Sequence, residues 1–191
     1  IRDSIICGEP TEVAKTLSKS TIPNLITMIG STETAKKVIS DSSTSIKKYS
    51  MELGGNAPFI VFDDADLDNA INIGAAIKFG NCGQICVAAN RFFVHEKVYD
   101  KFLNGLIEKA KNLKIGYSED LDFEIGPLIS KKSRDRINNL IKDTIDSGGN
   151  LEYGGGIPKM NGNWFEPTII TGINESMSIF HEEIFGPVAS I

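Results

Sequence analysis

The sequence predicts an α/β fold, a largely parallel sheet with flanking helices, and two observations carry that expectation. Short apolar runs rich in β-branched residues alternate with amphipathic stretches of helical spacing along the 191 residues, which is the rhythm of βαβ units. The borders of the helical stretches also hold Ser, Thr, Asp or Pro in front and Gly behind, the residues that start and stop helices.

In chain order, "SIIC" and "NLITMIG" read as strands, the first followed by a helix in "PTEVAKTLSKS" and the second by one in "STETAKKVIS". "SIKKYSMEL" and "PFIVF" continue as strands. "DADLDNAINIGAAIKFG" is a helix with Asp in its first turn and Gly near its end, and "RFFVH" returns to strand. Two long helices follow, "KVYDKFLNGLIEKAKNLKI" and "KKSRDRINNLIKDTIDSGG", the second closed by a glycine pair that suits a left-handed cap. "YGGGIPKMNGNWFEPTII" mixes Gly, Asn and Pro ahead of one apolar run, a loop leading into a strand. The chain opens on Ile1 and stops at "GPVASI", which reads as a strand in progress, so a piece of a longer polypeptide is expected.

Composition narrows the function classes. Hydrophobic residues make up 41% and charged residues 24%, near the average for globular proteins, and the net charge of -5 offers no basic surface for nucleic acid. No apolar run approaches the length of a membrane span, and "IRDSIICGEP" lacks the apolar core of a signal peptide, so a cytoplasmic setting is expected. Cys7, Cys82 and Cys86 are too few for a disulfide scaffold, in keeping with a reducing compartment.

Three places could carry chemistry. In "GSTET" a helix opens directly after a strand, and its free first-turn N–H groups could hold an anion, although Ser31 or Thr32 could equally just cap the helix. Cys86 follows Gly80 and Gly83 in "FGNCGQICVAANR", where tight turns could expose a thiol near a helix start and lower its pKa, or where a free cysteine could simply pack as a small hydrophobe. Cys82, four residues earlier, raises a metal pair or a redox pair. Zinc would need two more ligands, and His95 and His181 have no ligand-like spacing to the cysteines, so no metal is expected. Glu52, between Met51 and Leu53 and ahead of two glycines and an apolar strand, is a charge placed where burial is expected; burial raises a carboxylate's pKa, as a general base requires.

These residues carry a resemblance. "MELGGNAPFIVFDDADLDNA", "GNCGQICVAANR" 34 positions on from Glu52 to Cys86 (86 − 52), the later "HEEIFGPV" and the upstream "GSTETAKK" resemble the aldehyde dehydrogenase superfamily in motif order and spacing. The similarity covers the whole chain and less than half of a full-length member. It implies that residues 1–54 are the C-terminal part of an NAD(P)-binding domain and residues 55–191 the thiol-bearing catalytic domain, incomplete at its C-terminus, with the site at their junction. By the same resemblance Cys86 is the nucleophile and its backbone N–H half of an oxyanion hole, and Glu52 is the base that activates water against the thioester. Gly30 and Ser31 lie beneath the cofactor phosphate, the Leu53 backbone touches the nicotinamide amide, Glu183 holds the nicotinamide ribose, and Phe185 packs beside the ring.

The implied activity is oxidation of an aldehyde to a carboxylic acid with NAD or NADP, and a base at Glu52 favours hydrolysis over transfer to coenzyme A or phosphate. Members specific for succinic semialdehyde often carry an arginine six residues before the nucleophile; here that position is Gly80, although "CVAANR" and "WFEPTI" look most like the semialdehyde and small aliphatic aldehyde branches. The oxyanion-hole asparagine and the adenosine-ribose residues belong to motifs this chain does not contain, so the 191 residues alone are expected to be inactive. The alternatives are a catalytically silent piece with a binding or assembly role, and a thiol-redox protein using Cys82 and Cys86. The helix from Asp64 carries more apolar residues than one core stripe needs, which with the resemblance implies a homodimer or higher oligomer through it.

Overall fold

The computed structural model describes residues 5–117 and 123–191. The chain divides into two compact units, Ile1–Gly54 and Gly55–Ile191.

The first unit holds α1 (Pro10–Lys19), β1 (Leu25–Ile29), α2 (Thr32–Asp41) and β2 (Lys48–Glu52). Proline in the first turn of α1 sits where its missing N–H costs nothing. Ser31 caps α2, its Oγ accepting from the Thr34 N–H at 3.2 Å. The two strands pair in parallel with Leu25 opposite Lys48 and Ile29 opposite Glu52, so α2 is the crossover of a βαβ unit. "SIIC" does not form the expected strand: Ser4 lies outside the described residues, and Ile5, Ile6 and Cys7 are irregular and exposed. A strand persists only where a neighbour takes its hydrogen bonds, and among the described residues none pairs there.

The second unit contains β3 (Pro58–Val61), α3 (Leu67–Phe79), β4 (Arg91–Val94), α4 (Tyr99–Asn112), α5 (Lys131–Asp146), β5 (Asn150–Tyr153), β6 (Thr168–Thr171), α6 (Ser178–His181) and β7 (Val188–Ser190). Its five strands lie in the order β3-β4-β7-β6-β5. All neighbours are parallel except β5 and β6, which gives the α/β architecture the sequence predicts. Asp66 caps α3 through a bond from the Asn69 N–H at 3.2 Å, and Gly148 at φ 101 closes α5 as the glycine pair leads one to expect.

Helix α3 lies close to its sheet because Gly74 has no side chain: a Cβ there would meet Phe92, Phe102 and Phe59 at 3.3 to 3.7 Å. Those three rings pack tilted to one another at centroid distances of 5.1 to 6.3 Å and anchor the core between α3, α4 and the strands. Among the described residues no helix is long and apolar enough to cross a membrane.

Candidate active site

The seven candidate residues fall into two groups, one in each unit. In the first unit, the Gly30 N–H donates to the Glu52 carbonyl at 3.0 Å, which ties the strand-to-helix turn to the end of β2. The Ser31 hydroxyl is engaged locally, sharing a 2.9 Å bond with Thr34 Oγ1 as well as capping the helix. What the turn offers a ligand is therefore backbone N–H groups of the first helical turn, which no residue of the helix itself can satisfy.

A groove of about 670 Å³ opens in the first unit, lined among others by Ala14 and Ser18 of α1, Met28 of β1 and Thr34 and Val38 of α2. Sequence reasoning missed it. The available signal was the pair of small residues one helical turn apart on α1, facing the helix that the GSTE turn opens.

Glu52 is exposed, not buried as its neighbours lead one to expect. In a strand successive side chains point to opposite faces, so the half-burial of Met51 and Leu53 turns Glu52 the other way. Its carboxylate is thus a solvated group at the tip of β2, one residue before the half-buried Leu53.

In the second unit, Cys86 lies in a turn closed by the Ala88 N–H on the Ile85 carbonyl at 3.0 Å, and it is exposed. The expected helix start is absent: a short 3-10 turn ends at Gly83, and the next regular element is β4. The Cys86 N–H meets no acceptor among the described residues. The turn below it is held in an unusual shape, with Asn81, Cys82 and Gly83 in succession at φ 49, 57 and 69, a left-handed run that costs free energy at the two non-glycine positions. Gln84 anchors it, donating through Nε2 to the carbonyls of Asn81 and Pro127 at 3.2 and 3.3 Å and accepting from the Ile129 N–H at 2.8 Å.

Cys82 is shielded from solvent at this turn. Its side chain is 1% exposed within the apolar core, and burial pushes its thiol up to about 12. Among the described residues no group of three or more His, Cys, Asp or Glu could hold a metal.

Glu183 and Phe185 lie in the irregular stretch between α6 and β7. Glu183 Oε1 accepts from the Gly55 N–H at 3.1 Å. A Cβ on Gly55 would stand 2.9 Å from the Cys86 carbonyl oxygen, so the Cys86 backbone and the Glu183 carboxylate meet at a residue where a side chain would collide. Phe185 has φ 49 and is 38% exposed, a large ring held open in a strained conformation.

Lys78, in the last turn of α3, was not singled out from the sequence. It is 1% exposed and no hydrogen bond or ion pair reaches its ammonium among the described residues. Burial pushes its pKa down to about 7, against the pull of the Glu183 carboxylate that faces it.

Comparisons with known proteins show the family to which the chain belongs. Residues 4–191 match the model of the aldehyde dehydrogenase family. A succinate-semialdehyde dehydrogenase [NADP(+)] of Schizosaccharomyces pombe is 42% identical over 98% of this chain, which spans 38% of that protein. The crystal structure of succinate-semialdehyde dehydrogenase from Burkholderia pseudomallei superposes with a TM-score of 0.94 at 39% identity, over 97% of this chain and 38% of that one. Betaine aldehyde dehydrogenase from Staphylococcus aureus, solved with NAD+, superposes with a TM-score of 0.92 at 34% identity, over 97% of this chain and 37% of that one. The chain therefore spans less than two fifths of these relatives, and it belongs to the aldehyde dehydrogenase family.

Proposed function

We propose that the full encoded polypeptide carrying this chain oxidises an aldehyde to a carboxylic acid with NAD or NADP, Cys86 being the nucleophile and Glu52 the base. The observation that carries this is the exposed Cys86 turn with its unpartnered N–H, meeting the anchored Glu183 carboxylate at Gly55.

The Cys86 thiolate adds to the aldehyde carbonyl, and the new oxyanion takes a hydrogen bond from the Cys86 N–H. A nicotinamide, when bound, would supply the two-electron acceptor through which the adduct on Cys86 becomes a thioester. Glu52 then removes a proton from water as that water attacks the thioester, so the acid departs and the thiolate is restored. An exposed carboxylate at the end of β2 suits a group that must reach solvent water.

Each unit, taken by itself, offers groups that a dinucleotide would take. The Gly30–Ser31 turn presents helix N–H groups to a phosphate, Leu53 stands beside Glu52 to offer its backbone to the nicotinamide amide, and Glu183 has a fixed carboxylate for the ribose. The exposed Phe185 ring offers a face that would pack against the nicotinamide. The groove between α1 and α2 gives room for a further part of the cofactor.

The substrate is a small aliphatic aldehyde, semialdehydes included. At Gly80, a Cβ would meet nothing within 4 Å, so that position contributes open space and no group to hold a substrate carboxylate. Ile73 and Ile77, exposed one turn apart on α3, support association of the full polypeptide through that helix. The three free cysteines support a reducing, cytoplasmic setting. Following reduced-cofactor absorbance with propanal and succinic semialdehyde, each with NAD and with NADP, tests the proposal; absence of turnover with every pair would refute it.

A further inference from the structure

Glu183 belongs to no strand or helix, yet one side chain fixes its backbone on both sides. Asn90 Oδ1 accepts from the Ile184 N–H at 2.9 Å, and its Nδ2 donates to the Glu182 carbonyl at 2.8 Å. The amide therefore grips the peptide groups that flank Glu183 much as a neighbouring strand would. Nδ2 also donates to Asn56 Oδ1 at 2.6 Å, and Asn56 Nδ2 donates onward to the Phe180 carbonyl at 3.0 Å. Only an amide can accept once and donate twice in this arrangement.

Asn90 itself is held firmly. It is 3% exposed, its N–H donates to the Ala57 carbonyl at 2.9 Å, and its carbonyl accepts from Ser190 Oγ at 2.6 Å. It stands four residues beyond Cys86 (90 − 86), on the segment that leads from the nucleophile turn into β4. Arg136 of α5 donates to the Ile184 and Glu183 carbonyls from the other side and lies 4.0 Å from the Glu182 carboxylate, so it shares the hold on this stretch, but the Glu182 carbonyl and the Ile184 N–H are taken by Asn90.

We infer that Asn90 is a positioning residue for the cofactor: it locks the Glu182–Ile184 backbone to the segment that carries Cys86, and so keeps the Glu183 carboxylate at the Gly55 N–H, presented to the nicotinamide ribose. This rests on the role proposed for Glu183 above. A buried side chain that merely filled space would need none of these three directed bonds, and the segment it grips has no ladder of its own to replace them.

Asn90→Asp tests this in the full encoded polypeptide. The change is nearly isosteric and keeps an acceptor for the Ile184 N–H, but puts an oxygen where the amide donates to Glu182 and Asn56. The expected result is faster amide exchange in peptides covering 180–187, unchanged exchange in α4, and NADPH binding weakened about tenfold by fluorescence titration, the loss of roughly one hydrogen bond, with the KM for aldehyde unmoved. Asn90→Ser, which removes the amide without adding charge, is read the same way if the Asp variant fails to fold. Unaltered exchange at 180–187, or NADPH binding equal to wild type, overturns this inference and leaves the proposed function standing. A wild-type polypeptide that binds neither NADH nor NADPH overturns both.

Discussion

Gly83 and Gly186 touch backbone to backbone: a Cβ on Gly83 would overlap the Gly186 carbonyl oxygen and come within 3.0 Å of the Lys78 carbonyl. The contact seats the turn beneath Cys86 directly on the stretch that follows Glu183. Gly83 also has φ 69, so an added side chain meets strain and collision together. Gly83→Ala is expected to cost about 3 kcal/mol or more, as strain at a special backbone position does. Gly80→Ala, where nothing lies within 4 Å and φ is -53, should stay within about 1 kcal/mol. Urea melts of the two variants check the contrast, and equal stabilities would contradict it.

Lys78 makes stability depend on pH in an unusual direction. Its folded pKa of about 7 lies below the ordinary 10.5, so between those values the unfolded chain holds a proton that the native chain has released. Stability therefore rises with pH across that window, and the penalty of the buried charge is fully present only below pH 7. The gain from pH 7 to pH 9 is expected to be about 2 kcal/mol relative to Lys78→Met, which carries no such proton. Lys78→Met should also be the more stable protein at pH 6, since a well-packed apolar chain replaces a charge whose burial costs more than the attraction of Glu183 returns. Denaturant midpoints of both proteins at pH 6, 7 and 9 decide it; parallel curves would show that Lys78 does not titrate there.

The helices α3, α4 and α5 and the strands around them were legible because each announces itself by its period, and α3 and α5 by their caps as well. Asp66, Gly148 and the apolar spacing of α4 are local signals that the tertiary structure has no reason to override. Strand β5 was not legible: "NLEY" is four mostly exposed residues that become a strand only by pairing antiparallel with β6. At the site, the glycines around Cys86 could be read because tight backbone turns need them. The burial of Lys78 could not, since a lysine in a helix looks like a solvated face, nor could the hydrogen bonds of Asn90, whose partners lie 92 and 94 positions away. Glu52 was misread because apolar neighbours in a strand say nothing about the opposite face.

The two thiols near the site should differ sharply in reactivity. Cys86 is exposed, whereas Cys82 is buried and its thiol pushed up to about 12, so almost none of it is thiolate at pH 8. Iodoacetamide at pH 8 is expected to alkylate Cys86 and the exposed Cys7 in the native protein, and Cys82 only on unfolding. Peptide mass spectrometry reads this directly. A Cys82–Cys86 disulfide after mild peroxide would revive the thiol-redox alternative, which the burial of Cys82 argues against.

Glu52 and Cys86 should fail in different ways when removed, because they serve different halves of the proposed reaction. Cys86→Ala leaves no sulfur to form the adduct, so neither a burst nor steady turnover of reduced cofactor is expected from the full encoded polypeptide. Glu52→Gln keeps the nucleophile and the anchored Glu183 intact, so the aldehyde still adds and one equivalent of reduced cofactor still forms per site. Only the hydrolysis of the thioester then lacks its base, and turnover is expected to fall by roughly 10²–10⁴ after the burst, the usual worth of general base catalysis. Because Glu52 is solvent-exposed, the substitution should leave the melting temperature unchanged, which separates a chemical loss from a structural one. Stopped-flow absorbance of reduced cofactor, followed by intact mass to find the acyl group on Cys86, reads both phases. A Glu52→Gln protein with normal steady turnover would remove Glu52 from the mechanism, and one with no burst would move its role ahead of hydride transfer.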